Sequence, residues 1–308
     1  MRDCGRRLGI ELDKDIRAAL RAAIAQLDAA RVDAPTTTAR LLLAHALDKP
    51  KEWLVAHGDA QLDAAAQQRF GALLRRVVAH EPLAYVLGRR EFYGLDLIVD
   101  PRVLIPRPET EMLVELALDE LRAAHLSPSP LGSRFSVLDV GTGSGAIPIA
   151  IAKHAPGAHL LATDISADAL AVARLNAERH GVADRITLLQ ADLLDGLAAL
   201  PPIVTANLPY VTREEIEGLP PEIQAHEPRI ALDGGDDGLA LVRRLLAQVA
   251  ARMATRDRAS RPRAVFLEIG ASQGPAALAA ARTLLPRAQA EVKKDLAGLD
   301  RVLAIRLS

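Results

Sequence analysis

Four short apolar segments between residues 137 and 206 of this 308-residue chain each end in residues able to hold a ligand. Val137-Leu138-Asp139-Val140 runs directly into Gly141-Thr142-Gly143-Ser144-Gly145. Such glycines let a backbone turn sharply and approach a bound molecule closely. The second segment, His159–Thr163, ends at Asp164, about twenty residues beyond the glycines, where an acid can accept two hydrogen bonds from ribose hydroxyls. Ser166 is available to cap the helix that follows, which leaves Asp164 for a ligand. The third, Ile186–Gln190, is followed by Asp192 and Leu193, an acceptor for an adenine amino group beside an apolar face for the ring. A nicotinamide dinucleotide would place its pyrophosphate on Gly141–Ala146, which aligns with G-x-G-x-x-A. S-adenosylmethionine carries no phosphate, and an acid before the turn, here Asp139, can reach the turn backbone or, through water, the methionine ammonium.

The fourth segment, Ile203–Ala206, favours the sulfonium cofactor. It ends Asn207-Leu208-Pro209-Tyr210, which resembles the Asn-Pro-Pro-Tyr signature of amino methyltransferases. Transfer from a sulfonium needs no nucleophilic side chain and no metal; it needs an amino nitrogen in line with the methyl group, its lone pair exposed. In a planar amide or nucleobase amine that lone pair is delocalised. Two acceptors on its N–H groups, the Asn207 side-chain oxygen and the Leu208 carbonyl, favour a nucleophilic geometry. Tyr210 offers a flat face to the planar group, and Pro209 shapes the turn.

Elements with the right periodicity surround these residues. From Phe135 onward strand-type runs alternate with helical ones, clearest at Ala167–His180 with Ser166 as N-cap and Gly181 as stop. Such alternation predicts a mostly parallel sheet covered on both faces. Ala288–Lys293 and Arg301–Arg306 have no helix between them, which predicts a terminal antiparallel hairpin. Residues 8–88 read as a helical bundle, with Ile16, Leu20, Ile24 and Leu27 on one face and Thr36 or Thr37 capping the next helix. Glu91–Tyr93 and Leu95–Val99 around Gly94 predict a β-hairpin, after which two prolines lead to a helix beginning near Thr110. The expected division is 1–88 helical, 89–108 linker and 109–308 catalytic.

Composition narrows the class. Half the residues are apolar, which excludes wholesale disorder, and the net charge of −1 argues against binding nucleic acid through bulk electrostatics. Residues 1–90 carry +4 and the rest −5. The Arg252–Arg263 run reads as a solvated loop. The lone Cys4 cannot form an internal disulfide, and early charges break any signal-peptide core. These features predict a soluble cytoplasmic protein with no metal site.

With those residues assembled, the chain resembles the HemK-type protein-(glutamine-N5) methyltransferases that modify peptide chain release factors. The resemblance rests on Tyr85–Gly88, Glu91–Gly94, Pro106-Arg107-Pro108-Glu109-Thr110-Glu111, the Gly141–Gly145 turn, Glu227-Pro228, Gly234–Leu239, Leu267–Gly270 and Asp295–Val302. It implies a class I methyltransferase (Rossmann-like) domain and an N-terminal helical domain that grips a class I release factor. The substrate is then the glutamine of the factor's Gly-Gly-Gln loop, and the cofactor S-adenosylmethionine, held by Asp139, Gly141–Gly145, Asp164, Asp192, Leu193 and Asn207. Arg107, Pro108, Glu109 and Glu111 are candidates to line the cleft. Leu208 departs from the usual proline: it supplies the same carbonyl but loses a preset φ. Asn-Leu-Pro-Tyr also resembles ribosomal-RNA adenine dimethylases, so an adenine N6-methyltransferase is a competing reading. The order of domains and the Pro106–Glu111 string favour glutamine. A ribosomal-protein glutamine remains an alternative target, and neither a dehydrogenase nor a non-catalytic binding module explains Asn207–Tyr210.

Overall fold

The structure is a computed structural model that describes residues 15–123, 136–255 and 261–307. Cys4, Phe135, Arg256 and Arg258 lie outside the described residues. Two compact units divide the chain, one holding residues up to Gly88 together with Pro221–His226, the other holding Arg89–Pro220 and Glu227 onward.

The first unit is built from α1 (Ile16–Ala29), α2 (Pro35–Leu47), α3 (Lys51–Ala56), α4 (Ala64–Val78) and α5 (Leu83–Leu87). Asp15 and Asp63 cap α1 and α4 by accepting from Ala18 N and Ala66 N at 2.8 and 2.7 Å. The α1 face departs from its apolar spacing: Ala19 and Ala23 are fully buried beside Ile16 and Leu27, while Leu20 and Ile24 are only partly covered. Small side chains let a neighbouring helix approach closely, and larger ones are left at the margin. Thr36 and Thr37 do not cap α2. Pro35 occupies its first position, where a missing N–H costs nothing, and Ala34 precedes it with φ of 48°.

The second unit opens with the hairpin β1 (Arg89–Phe92) and β2 (Leu95–Ile98). Tyr93 and Gly94 both have positive φ, as a two-residue turn matched to strand twist demands. Asn176, fully buried, accepts from Ile98 N at 2.7 Å and donates to Ile98 O and Ser144 O at 2.9 Å each, tying the hairpin to the glycine turn. A single 3-10 turn, Pro108–Thr110, leads into α6 (Glu111–Ala123).

From there strands and helices alternate through β3 (Val137–Val140), α7 (Ala146–His154), β4 (Leu160–Asp164), α8 (Ala167–Arg179), β5 (Ile186–Gln190) and β6 (Ile203–Ala206). Next come α9 (Arg213–Glu217), α10 (Pro221–His226, counted with the first unit), α11 (Ala240–Ala254), β7 (Ala264–Glu268), α12 (Gly274–Leu284), β8 (Gln289–Lys294) and β9 (Asp300–Arg306). The seven-stranded sheet has the order β5-β4-β3-β6-β7-β9-β8. Its first five strands are parallel, and β9 and β8 close it antiparallel. Apolar clusters cover both faces. The strand order reverses between β3 and β6, and in an open parallel sheet the crevice at such a reversal is where ligands bind. Gly141 and Asn207 follow those two strands directly. Among the described residues no helix is long and apolar enough to cross a membrane.

Candidate active site

Around that reversal lies a cleft of about 220 Å³ whose wall includes Gly141, Thr142, Gly143 and Ser144, Asp164, Asp192 and Leu193, and Asn207, Leu208 and Pro209. Gly141, Gly143 and Gly145 all have positive φ, a conformation in which other residues are strained. The N–H groups of Gly141 and Thr142 donate to Thr163 O at 2.8 and 2.9 Å, which anchors the turn to β4. Gly145 is not on the wall. A Cβ there would come within 3.0 Å of Ile149 and 3.1 Å of Ala173, so its role is close helix packing.

Asp139 lies beneath the turn, 1% exposed, with Oδ1 accepting from Thr205 Oγ1 at 2.8 Å. Its Oδ2 and the Thr142 Oγ1 are buried without a hydrogen-bond partner among the described residues. Burial pushes the Asp139 carboxyl up to about 7, against the opposing pull of the Thr142 and Thr205 hydroxyls. Orphaned buried acceptors are costly unless a partner arrives, and a bound ammonium or its water would supply one.

Asp164 is more engaged than its position in the sequence suggested. Its Oδ2 accepts from Gly143 N at 2.8 Å and its Oδ1 from Ser166 N at 2.9 Å, while Ser166 caps α8 through Ala169 N as expected. Each carboxylate oxygen keeps a further acceptor site for a ribose hydroxyl. Burial raises the Asp164 pKa, and those backbone N–H groups oppose the rise. The Gly143 N–H is therefore occupied by a carboxylate and unavailable to a phosphate. The wall's two arginines are likewise paired, Arg102 with Asp100 and Arg244 with Asp192 at 2.6 and 2.8 Å. This donor set suits a phosphate-free cofactor better than a dinucleotide. Leu193 sits on the wall with φ of 54°, a strained backbone at the place proposed for a flat ring.

Asn207 donates through Nδ2 to Thr110 Oγ1 at 3.0 Å. Its Oδ1 and the Leu208 carbonyl accept no hydrogen bond from the described residues. The Leu208 side chain is buried, and a Cβ on Gly141 would lie 3.3 Å from its Cδ2. Tyr210 is placed differently from the expectation. It is absent from the cleft wall, and its hydroxyl donates to Glu268 Oε1 at 3.3 Å. Burial and the Glu268 charge both raise its pKa. The Tyr210 carbonyl accepts from Gln273 Nε2 at 2.7 Å, and Gly234 and Gly238 press so close to its backbone that a Cβ on either would overlap it.

From the Pro106–Glu111 string, the wall takes Pro106 and Thr110 and none of the four residues expected there. Arg107 reaches Glu227 Oε1 at 2.5 Å, and Glu227 Oε2 accepts from Ile105 N at 3.4 Å, so the pair braces the segment from behind. Pro108 begins the 3-10 turn, Glu109 lies beside the Glu268 and Arg301 charges, and Glu111 Oε1 accepts from Tyr93 N at 2.9 Å. Sequence reasoning left Thr110 and Glu268 without roles. A threonine flanked by acids and a strand-end glutamate in an apolar run are visible as residue types, but only the tertiary fold brings them to Asn207.

A seven-stranded sheet of this order, with a glycine turn after β3 and an Asn-Leu-Pro-Tyr segment after β6, defines a class I methyltransferase domain. Residues 137–224 match the family described as "Methyltransferase domain", and residues 18–88 match "PrmC N-terminal domain". The "Release factor glutamine methyltransferase" of Moorella thermoacetica is 40% identical over 288 residues, covering 93% of this chain and 96% of that protein. The protein of the same name from Nitratidesulfovibrio vulgaris is 39% identical over 292 residues, 93% of each. Among solved structures, the hMettl16 catalytic domain in complex with a MAT2A 3'UTR hairpin aligns with a TM-score of 0.55 at 19% identity, over 75% of this chain and 82% of that one, a likeness of fold. The chain belongs to the release factor glutamine methyltransferase family.

Proposed function

We propose that this protein transfers a methyl group from S-adenosylmethionine to the side-chain nitrogen of the glutamine in the Gly-Gly-Gln motif of class I release factors. The observation that carries this reading is the pair of unengaged acceptors, Asn207 Oδ1 and the Leu208 carbonyl, at the carboxyl end of β6 beside the cleft. A primary carboxamide has two N–H groups, and two acceptors on consecutive residues at the end of one strand fit them. When bound, the cofactor supplies an activated methyl carbon. Gly141, Thr142, Gly143 and Ser144, with Asp164, Asp192 and Leu193, would hold it, and Asp139 would support the turn from below.

Asn207 Oδ1 and the Leu208 carbonyl accept the substrate N–H groups and polarise the nitrogen towards a tetrahedral geometry. That change withdraws its lone pair from the amide and turns it to the methyl carbon. Transfer to that nitrogen would break the methyl–sulfur bond, return its electron pair to the sulfur as a neutral thioether, and leave the nitrogen cationic until its extra proton departs, so no side chain has to act as a base beforehand. The apolar wall of Leu104, Pro106, Val140 and Leu241 keeps water from competing for those acceptors.

The helical unit, residues 1–88, is the release-factor grip in this reading, with 89–108 linking it to the catalytic part in 109–308. A near-zero net charge supports a protein substrate over stable nucleic-acid binding, and the substrate's place in translation makes the cytoplasm the working compartment. Intact-mass analysis of a purified release factor after incubation with enzyme and cofactor tests the proposal. A gain of one methylene, absent when the motif's glutamine is replaced by alanine, is expected; an unchanged mass, or an equal gain in both, would overturn it.

A further inference from the structure

Helix α12 begins at Gly274, and Gln273 before it occupies the N-cap position, where a short side chain accepting from the first N–H groups is the favourable choice. Gln273 makes no such bond. Its buried side chain turns to three partners elsewhere. Oε1 accepts from Gly270 N at 2.8 Å, and Nε2 donates to the carbonyls of Tyr210 and Asp237 at 2.7 and 3.4 Å. Exchanging the two ends of the amide would set its oxygen against two carbonyls and its NH2 against an N–H, so these partners admit one orientation only.

Two glycines make room for that amide. A Cβ on Gly238 would overlap both Gln273 Nε2 and the Tyr210 carbonyl oxygen, and one on Gly270 would lie 3.1 Å from Gln273 Cδ and Oε1. Among the described residues no backbone N–H donates to the Tyr210 carbonyl, so its hydrogen bond comes from Gln273. The segment from Asn207 to Tyr210 is thus tied at both ends. Ala206 holds its start in the ladder with Val140 and Leu267, and Gln273 holds its end. Between these anchors Pro209 has its φ fixed, so few torsions remain that could turn the Leu208 carbonyl.

We propose that Gln273 is a positioning residue for methyl transfer: by clamping the Tyr210 carbonyl it sets the path of Leu208 and Pro209 and aims the Leu208 carbonyl at the substrate amide. Gln273 is absent from the cleft wall, so it acts through the segment and not by touching cofactor or substrate. Its bond to the Asp237 carbonyl ties the Gly234–Leu239 loop to the same amide. This inference rests on the methyl-transfer reading.

The test is methylation of a release factor at saturating substrates, below the thermal midpoint of each variant, together with cofactor Kd and fluorine NMR of protein labelled with 3-fluorotyrosine. The chain has three tyrosines, and loss of a signal in Tyr210→Phe assigns the resonance of Tyr210. Gln273→Met, similar in length but without the amide, is expected to lower kcat by about 10- to 100-fold through misplacement of the carbonyl. Cofactor Kd should stay within a few-fold of the parent's, and the Tyr210 resonance should broaden or split. Parental kcat, a loss matched by weakened cofactor binding, or a loss with an unchanged Tyr210 resonance would overturn the inference while leaving the methyl-transfer reading intact. If Gln273→Met does not fold, Gln273→Asn, one methylene shorter, decides by the same criteria. Failure of both to fold would assign Gln273 to stability and overturn its positioning role. An unaltered enzyme that leaves the release factor unmethylated would overturn both the inference and the reading beneath it.

Discussion

Thr110 and Asn207, 97 positions apart in the chain, meet at 3.0 Å where a 3-10 turn passes the carboxyl end of β6. The contact engages the donor end of the asparagine and leaves its acceptor end, with the neighbouring Leu208 carbonyl, for a substrate. That division of labour within one side chain explains why an asparagine, and no carboxylate, follows β6. An aspartate would offer acceptors on both sides and no N–H for Thr110.

Leu208 stands where the Asn-Pro-Pro-Tyr signature that this segment resembles has its first proline. In the proposed reading it contributes its carbonyl, while its side chain fills space against Gly141. Leu208→Pro is therefore expected to keep kcat near the parental value and change stability by less than about 1.5 kcal/mol. Urea denaturation together with a methylation assay checks both. A large loss of kcat would show that the leucine side chain does more than pack.

If Asp139 supports the cofactor site as proposed, cofactor affinity is expected to depend on pH. Its folded pKa, about 7, lies above the ordinary 3.8, so the ligand-free protein holds a proton there that the unfolded chain releases. Stability of the ligand-free protein should consequently fall as pH rises from about 4 to about 7. A cation bound nearby favours the ionised form, so cofactor affinity should rise over the same range, by about tenfold between pH 6 and 8. Calorimetric titration of Asp139→Asn should show a flattened profile. Glu268 is raised to about 7 as well, so the stability slope should shrink in that variant without vanishing. An unaltered affinity profile would remove Asp139 from cofactor binding.

Much of the catalytic half was legible from the chain alone. Apolar segments broken by glycines and strand-end acids identified β3, β4, β5 and β6 to within a residue or two, because short buried strands and their turns are encoded locally. The terminal antiparallel pair was legible for the same reason: no helix-length segment separates its strands. Side-chain partnerships were not. Arg107 turns away from the cleft to Glu227, 120 positions distant, and Tyr210 hands its hydroxyl to Glu268 in place of showing a face to the wall. Both choices minimise buried unpaired polar atoms, a constraint that only the assembled core imposes. Helix caps in the first unit misled for a local reason, since Pro35 starts α2 one residue ahead of the threonines.

Glu227 and Arg107 brace the segment that forms one side of the cleft. The Glu227 side chain is almost wholly buried and that of Arg107 is 31% exposed, so removing the acid lets the guanidinium rehydrate. Glu227→Ala is expected to cost about 1–3 kcal/mol, read as a lowered urea midpoint, with a higher KM for the cofactor as Leu104–Pro106 loosens. Unchanged stability would contradict the brace.

Gly238 has φ of 71° and lies against the Tyr210 carbonyl and Gln273. Gly238→Ala adds backbone strain and a steric overlap, with an expected cost of about 1–3 kcal/mol. Because the displaced atom belongs to Tyr210, kcat should fall further than stability alone accounts for, measured at a temperature where the variant is fully folded. A variant equal to the parent in both would separate this glycine from the site.

The central claim is that Asn207 Oδ1 and the Leu208 carbonyl turn an amide nitrogen into a nucleophile. Single-turnover methylation of a release factor by Asn207→Ala, at saturating cofactor, tests it most directly. The expected result is a rate lowered by about 100-fold or more with cofactor Kd changed by no more than a few-fold. A single-turnover rate equal to that of the unaltered enzyme would contradict it.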